Sequence, residues 1–469
     1  MRLHCLVLVA SLYLAGPAVA APAAREQSLG SIPPGAAPNQ RIFTTDLSHV
    51  AQVVCQEGGC AVYLNGVAGS RFDSIVKHTL RFTRGNVLAY AGRRGTQTVV
   101  VVAGKEFELQ ASLDPPRFAI NPAVNHDGSK LAAVTLGADG KTVRTFDSGA
   151  GASKDFGPFA EVLQTQFTAD DRLVFSAKRD NKSFIVADGV EGAPFDTMGL
   201  FSVSPNGKRI GYPATTAGVT RYYIDGALSE PVGGFTSPVD FSPDSRRYAY
   251  SYMSLDGPMH YVLDGKVTPG TSGGGMSTTF IFSADSKHVA YAVVDDKDRQ
   301  AFTIDGVVQP FFKIVNELKF WSDGEKFKFV YSRIDGAGKP GFIYIGGRTP
   351  NLERYEGDMG LAWSPDGRSF TYKGAQRSGK RVAPAVFVDG KRATPVGFDA
   401  VSYAVFSLQG HQSAHLAKGP NDSFVLVVDG KKRLNIDGMP LTPVRATADG
   451  FAFIVQRRAE HRRIDWQDK

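Results

Sequence analysis

Cysteine is nearly absent: the 469 residues hold three, and Cys5 falls in the opening segment, which leaves only Cys55 and Cys60. Two cysteines cannot build a four-thiolate zinc site or a disulfide scaffold. Long apolar runs are also missing, since nothing after residue 20 approaches the roughly 18 residues that a membrane-spanning helix needs. Runs of like charge are scarce. The 53 Lys and Arg and 46 Asp and Glu are scattered, and the densest basic stretch, QRRAEHRRIDWQDK, carries three acids of its own. The formal charge of +7 is therefore read as a solvated surface, and no nucleic-acid partner is expected. Binding driven by that charge would show a steep salt dependence. Phosphate loops, zinc-protease helix motifs and haem-attachment motifs do not occur in the chain.

The first stretch present is MRLHCLVLVASLYLAGPAVAAPAAREQ, with a positive charge at Arg2, an apolar run from Cys5 to Ala15, and small residues Ala18, Val19 and Ala20. This order predicts a secretory signal over residues 1–20, cleaved after Ala20, and too short to span a membrane comfortably. Cys5 is not at the cleavage point, so no lipid anchor is expected. The mature chain should lie in a periplasm or outside the cell, without membrane insertion. In VVCQEGGCAVYL, Cys55 and Cys60 flank four residues that end in a glycine pair. If the flanks are antiparallel strands, the two thiols face each other across a hairpin, and an oxidising compartment lets them close. Two free buried thiols are the alternative.

Glycine and proline are plentiful, at 51 and 26, and they recur in phase. The phrase FSPDSRRYAY at 241 returns as FSADSKHVAY at 282, WSPDGRSFTY at 363 and VSPNGKRIGY at 203. Weaker copies start at 43, 82, 124, 167, 321, 406 and 446, so successive starts lie 36 to 43 residues apart. A second phrase falls between them: YIDG at 223, VLDG at 262, TIDG at 303, FVDG at 387 and VVDG at 427. Two turn signals bracket three short apolar runs, and a fourth such as KRATPVGF follows, so one unit reads as a four-stranded antiparallel meander. Tyr248, Tyr250 and Tyr252 alternate with Arg247, Ala249 and Ser251, the period of a strand with bulky residues on one face. One meander cannot bury both faces. Radial stacking of units of about 40 to 45 residues is the β-propeller arrangement, and a linear β-solenoid is the lesser alternative.

The phrase aromatic-Ser-Pro-Asp-Gly followed by an apolar run, clearest in WSPDGRSFTY and FSPDSRRYAY, resembles the WD40-like repeat of TolB-type propellers of the bacterial envelope. The resemblance covers nearly all of the mature chain from about Arg41. It implies a docking surface in the envelope, or a substrate-gating domain of a prolyl-oligopeptidase-like enzyme. Only about twenty residues separate the expected cleavage site from the first repeat, short of the extra domain that TolB proteins carry there. No α/β-hydrolase segment follows the last repeat. About ten to eleven units exceed the roughly four to eight blades of an ordinary ring. The expected organisation is a signal at 1–20, a linker at 21–41, and two groups of blades at 42–240 and 241–469, read as two tandem propellers, with one oversized ring as the alternative. The incomplete last unit suggests that an N-terminal strand completes a blade and covers its edge.

Candidate chemistry is sparse. GTSGG centres Ser272 in a nucleophile-elbow pattern, which has meaning only on a strand-to-helix turn, and no helix is expected there. His411 and His415 are four apart, but the repeat aligns His415 with Tyr250 on a strand, where four residues span roughly 13 Å, too far for one ion. Asp295, Asp296 and Asp298 could offer oxygens to calcium, yet three carboxylates at a hairpin tip are more often solvated. The recurrent aspartates Asp244, Asp285 and Asp366 are read as turn residues. No catalytic residue, metal or cofactor is expected. The leading functional expectation is a binding or scaffold module with an envelope or extracellular protein as partner, its oligomeric state open. The alternative is a propeller enzyme, a lyase or hydrolase acting on polysaccharide or peptide.

Overall fold

The computed structural model describes residues 24–34, 36–109, 112–113, 122–147, 153–254, 257, 259–268, 279–324, 326–334, 341–345, 360–378 and 381–467. Within them the chain is all-β, without an α-helix and with one short 3-10 turn at Pro420–Asp422. The strands form eleven antiparallel sheets in chain order, built as propeller blades. The sixth is representative: Asp240–Phe241, Tyr248–Met253, Met259–Leu263 and Lys266–Thr268 pair in sequence as a meander. In several sheets the inner strand is split, as at Ser74–Ile75 and Arg81–Phe82, which both pair with Leu88–Arg94.

The repeated phrase makes a self-contained turn. Ser242 Oγ donates to Asp244 Oδ1 at 2.6 Å and accepts the Arg247 amide at 2.9 Å, while the Arg246 amide donates to the same Asp244 oxygen. Short polar side chains that bond their own backbone favour such turns. Ser283–Asp285–His288 and Ser364–Asp366–Ser369 repeat the pattern. The second phrase closes the other turn at the same end of the sheet. Asp264 lies at φ 51°, and its Oδ1 accepts the Tyr248 amide at 2.9 Å. Asp225, Asp305, Asp389 and Asp429 do the same for Ile210, Val289, Phe370 and Ser413.

The residue after the turn joins one blade to the next. Arg247 Nε pairs with Asp264 at 2.9 Å, its Nη1 donates to the carbonyls of Ser286 and Lys287 in the seventh sheet, and its guanidinium lies 5.7 Å from the Phe282 ring centre. Arg209 grips the sixth sheet in the same way through Ser245, Arg246 and Phe241. The serine at 286 adds a further tie, its Oγ accepting the Asp244 amide at 3.0 Å. Where the ninth sheet has Gly367 at φ 62°, an added Cβ would lie 2.0 Å from the Trp321 ring, so glycine is required there.

In the fourth, fifth and seventh sheets the outer strand is broken rather than continuous. In the fifth sheet Ala227–Leu228 pairs regularly, Pro231 interrupts the ladder, and pairing resumes where the Val232 amide meets the Thr220 carbonyl. Pro194 and Pro310 sit alike, one residue before Phe195 and two before Phe312, which resume pairing in their sheets. A proline kink in an edge strand blunts its capacity to recruit another strand.

Eleven buried clusters each join one sheet to the next, and the last cluster joins the eleventh sheet to the first. The seam near residue 240, where two propellers were expected to divide, is packed like the rest: Tyr222 of the fifth sheet stacks on Tyr250 of the sixth at 3.7 Å. Leu29, Leu47, Val50, Ala452 and Ile454 bury the closing seam. The sheets therefore follow one another in a single cycle, which corrects the expected division into blades 42–240 and 241–469 as separate rings. Within the span 21–41 expected to be a linker, Ala24–Ser31 pairs antiparallel with Glu460–Gln467 as the outer strand of the last sheet, the N-terminal strand that the incomplete last unit called for. Glu26 there meets Arg457 at 2.8 Å and Arg462 at 3.2 Å.

Candidate functional site

The residue types that could perform catalysis are mostly engaged in holding blades together. Asp285 is partly buried, which pushes its carboxyl up, but hydrogen bonds from Ser283, Ser322 and the Lys287 amide outweigh this and hold it at about 2. Asp295 accepts the Lys297 and Arg299 amides and pairs with the Arg299 side chain, so it shapes its own hairpin. Among the described residues no group of three or more His, Cys, Asp or Glu could hold a metal ion. His415 lies within Ser413–Lys418, fully buried, with Nε2 at 2.7 Å from Thr394 Oγ1. Burial pushes its imidazole down to about 3. His411 is exposed in the preceding turn, so the two histidines do not meet as a pair on a helix. Ser272 and residues 1–20 lie outside the described residues. Cys55 and Cys60 are register partners on one hairpin and are disulfide-bonded, with Cα atoms 4.0 Å apart.

A crevice of about 500 Å³ opens between the fifth and sixth sheets, within the range of roughly 300–1,000 Å³ typical of ligand pockets. Its fifth-sheet wall is Arg209, Tyr222, Ile224, Asp225 and the kinked outer segment from Ala227 to Val232. The sixth-sheet wall is Tyr248, Tyr250, Tyr252, Val262, Gly265 and Val267. Alternation along Tyr248–Met253 turns the three tyrosines to the same side, as the sequence pattern indicated. Tyr250 is buried against Tyr222, and burial raises its phenol to about 12. Tyr248 and Tyr252 are half-buried and their phenols are also raised by burial. All three are neutral hydroxyls at ordinary pH. Arg209 and Asp225 form an ion pair at 2.7 Å on one lip, and exposed Leu228 and Val267 form the other edge.

An equivalent gap of about 340 Å³ lies between the third and fourth sheets, lined by Lys130, Asp171, Phe146, Phe156 and Phe167 among others. The gap itself thus belongs to the architecture; the tyrosines belong to the sixth sheet. Sequence reasoning noted these tyrosines as a strand signature and missed their grouping at a crevice. The available signal was that no other unit places tyrosine on both sides of the central position.

No family model matches the chain, and no curated protein matches it. A solved structure described as "Crystal structure of the eukaryotic initiation factor" is similar to it with a TM-score of 0.41 and 13% identity, over 82% of this chain and 95% of that one. A likeness this loose bears on neither the function nor the details of the site.

Proposed function

We propose that the protein is a secreted or periplasmic propeller that acts as a binding module for another macromolecule, in the manner implied by its TolB-type repeat. The observation that supports this most is a contrast. The repeated ionisable residues are engaged in the architecture, Asp244 and Asp264 in bonds within their own blade and Arg247 in a bond to the next, whereas the sixth sheet departs from the repeat at a solvent-open crevice. The Cys55–Cys60 bond accords with an oxidising compartment. No helix among the described residues is long and apolar enough to cross a membrane.

The test is site-specific photo-cross-linking in the native cell from Leu228, 54% exposed at the crevice, with Val67 and Val190, 71% and 72% exposed on other sheets, as controls. The reading expects a discrete adduct from position 228 and none from the controls. Equal or absent labelling at all three would argue against it.

A further inference from the structure

Equivalent positions can be fixed across the repeat by one shared bond. The residue opening each central strand accepts, at its carbonyl, the amide of the residue that begins the outer turn: Asp264 to Tyr248, Asp225 to Ile210, Asp305 to Val289, Asp188 to Leu173 and Asn65 to Val50. Ala103 to Leu88, Asp389 to Phe370 and Asp429 to Ser413 continue the series. At this position the other sheets carry aliphatic residues or the phenylalanines Phe329, Phe370 and Phe451, which lack the hydroxyl, and the tenth carries Ser413. Four residues on, they carry Val54, Gly92, Ala177, Ala214, Val293 and Gly374, where the sixth sheet carries Tyr252. The central position is different, since Tyr90, Tyr212, Tyr291 and Tyr372 match Tyr250 there. Tyr250 belongs to the fold; Tyr248 and Tyr252 do not, because the same strand forms elsewhere without them.

The crevice they line carries fixed charges of both signs. Arg209 lies 5.4 Å from the centre of the Tyr248 ring while paired with Asp225, so the cation-binding face of that tyrosine is already taken. A cationic ligand would find Asp225 already paired with Arg209 and would meet only the exposed, solvent-screened Glu230. An anionic ligand would meet Asp225 and Glu230, which line the same wall. What remains is an uncharged molecule with an apolar face for the ring edges and hydroxyls for Tyr248, Tyr252, Asp225 and Glu230. The kinked segment from Leu228 to Val232 supplies further apolar surface from Pro231 and Val232.

We infer that the crevice between the fifth and sixth sheets binds a neutral saccharide, two or three sugar rings of a longer glycan. This rests on the reading of the protein as a binding module and names the class of ligand it holds. Neutral sugars combine C–H faces that pack on aromatic rings with hydroxyls that both donate and accept, which matches a wall of neutral phenols and carboxylates.

The experiment is calorimetric titration of the secreted chain with two uncharged probes, maltotriose and triacetylchitotriose, and with the polyanion heparin and tetra-arginine as charged controls. The expected result is binding of at least one trisaccharide and of neither control. The double variant Tyr248→Leu, Tyr252→Ala takes residues that other sheets carry at these positions, and it should fold, with a melting temperature lowered by the packing lost against the seam, and bind at least tenfold more weakly. If that variant does not fold, Tyr248→Phe with Tyr252→Phe keeps both rings and should still weaken binding several-fold by removing the hydroxyls. The inference is overturned if neither trisaccharide binds at millimolar concentration, if affinity survives in the double variant, or if a charged control binds the crevice instead. Persistence of the Leu228 cross-link to a protein alongside absent sugar binding would overturn the saccharide and leave the binding module standing.

Discussion

Arg247 shows why a basic residue follows the turn in so many units. It closes its own sheet through Asp264 and reaches two carbonyls of the next, with its guanidinium over Phe282. Arg247→Met keeps the apolar stem and removes these bonds, and should lower stability by about 1–2 kcal/mol, read from the urea midpoint. Asp264 is 38% exposed, which keeps the expected loss below that of a fully buried pair. A second residue-scale expectation concerns His415. Its imidazole is depressed from 6.5 to about 3, so the unfolded chain takes up the proton first. The stabilisation is present above about pH 6.5 and is lost as pH falls towards 3. His415→Gln, which copies Gln52 at the matching position of the first sheet, should flatten the fall of melting temperature over that range. Parallel curves for the two proteins would show that His415 has no such role. The alignment of His415 with Tyr250 was legible in the sequence, because the turn chemistry on either side fixes the register: Ser413 and Tyr248 donate to Asp429 and Asp264 alike. The buried partner of His415 was not legible, since Thr394 belongs to the neighbouring ninth sheet.

At the scale of elements, short-range signals were read well. The Asp-Gly phrases mark hairpins because a left-handed aspartate and the glycine after it suit the turn, as at Asp225 and Gly226 with φ 55° and 83°. The Cys55–Cys60 hairpin follows the same logic, and replacing both residues with serine should cost about 2 kcal/mol or less, given so short a loop. The fourth run of each unit was harder. KRATPVGF looks like a strand, yet regular pairing covers only Lys391–Arg392 before Pro395 intervenes. The incomplete last unit points to an N-terminal strand, but the residues that form it are not marked, because Ala24–Ser31 is largely polar and its partner strand, Glu460–Gln467, lies more than 400 residues away. Leu29 is its one buried residue, at 2% exposure. Leu29→Ala should therefore cost about 2–4 kcal/mol, whereas exposed Arg25→Ala should fall within about 0.5 kcal/mol. A linker would show neither loss, and thermal denaturation of the two variants separates the cases.

For the whole molecule, the repeat fixed the blade and its approximate number, but not the number of rings. That depends on how each sheet face meets its neighbour, and the determinants are spread across units. Tyr291, for instance, packs with Ala249 and 4.4 Å from Tyr261 of the sheet before it. The cycle of eleven seams closes where the first and last sheets bury Leu47 and Val50 against Ala452 and Ile454, and where Arg463 Nη1 donates to the Asp46 carbonyl at 2.9 Å. The crevice between the fifth and sixth sheets exists only because these two sheets are neighbours in that cycle. The most direct test is an engineered cross-link across the closing sheet. Gln27 and Arg463 are register partners, so Gln27→Cys with Arg463→Cys should form a bond within one chain on mild oxidation. The product should migrate as an intact monomer, identified by mass spectrometry of the linked peptides, with a raised melting temperature. Failure to form that bond, or a bond found only between two chains, would contradict a ring closed by its own N-terminal strand.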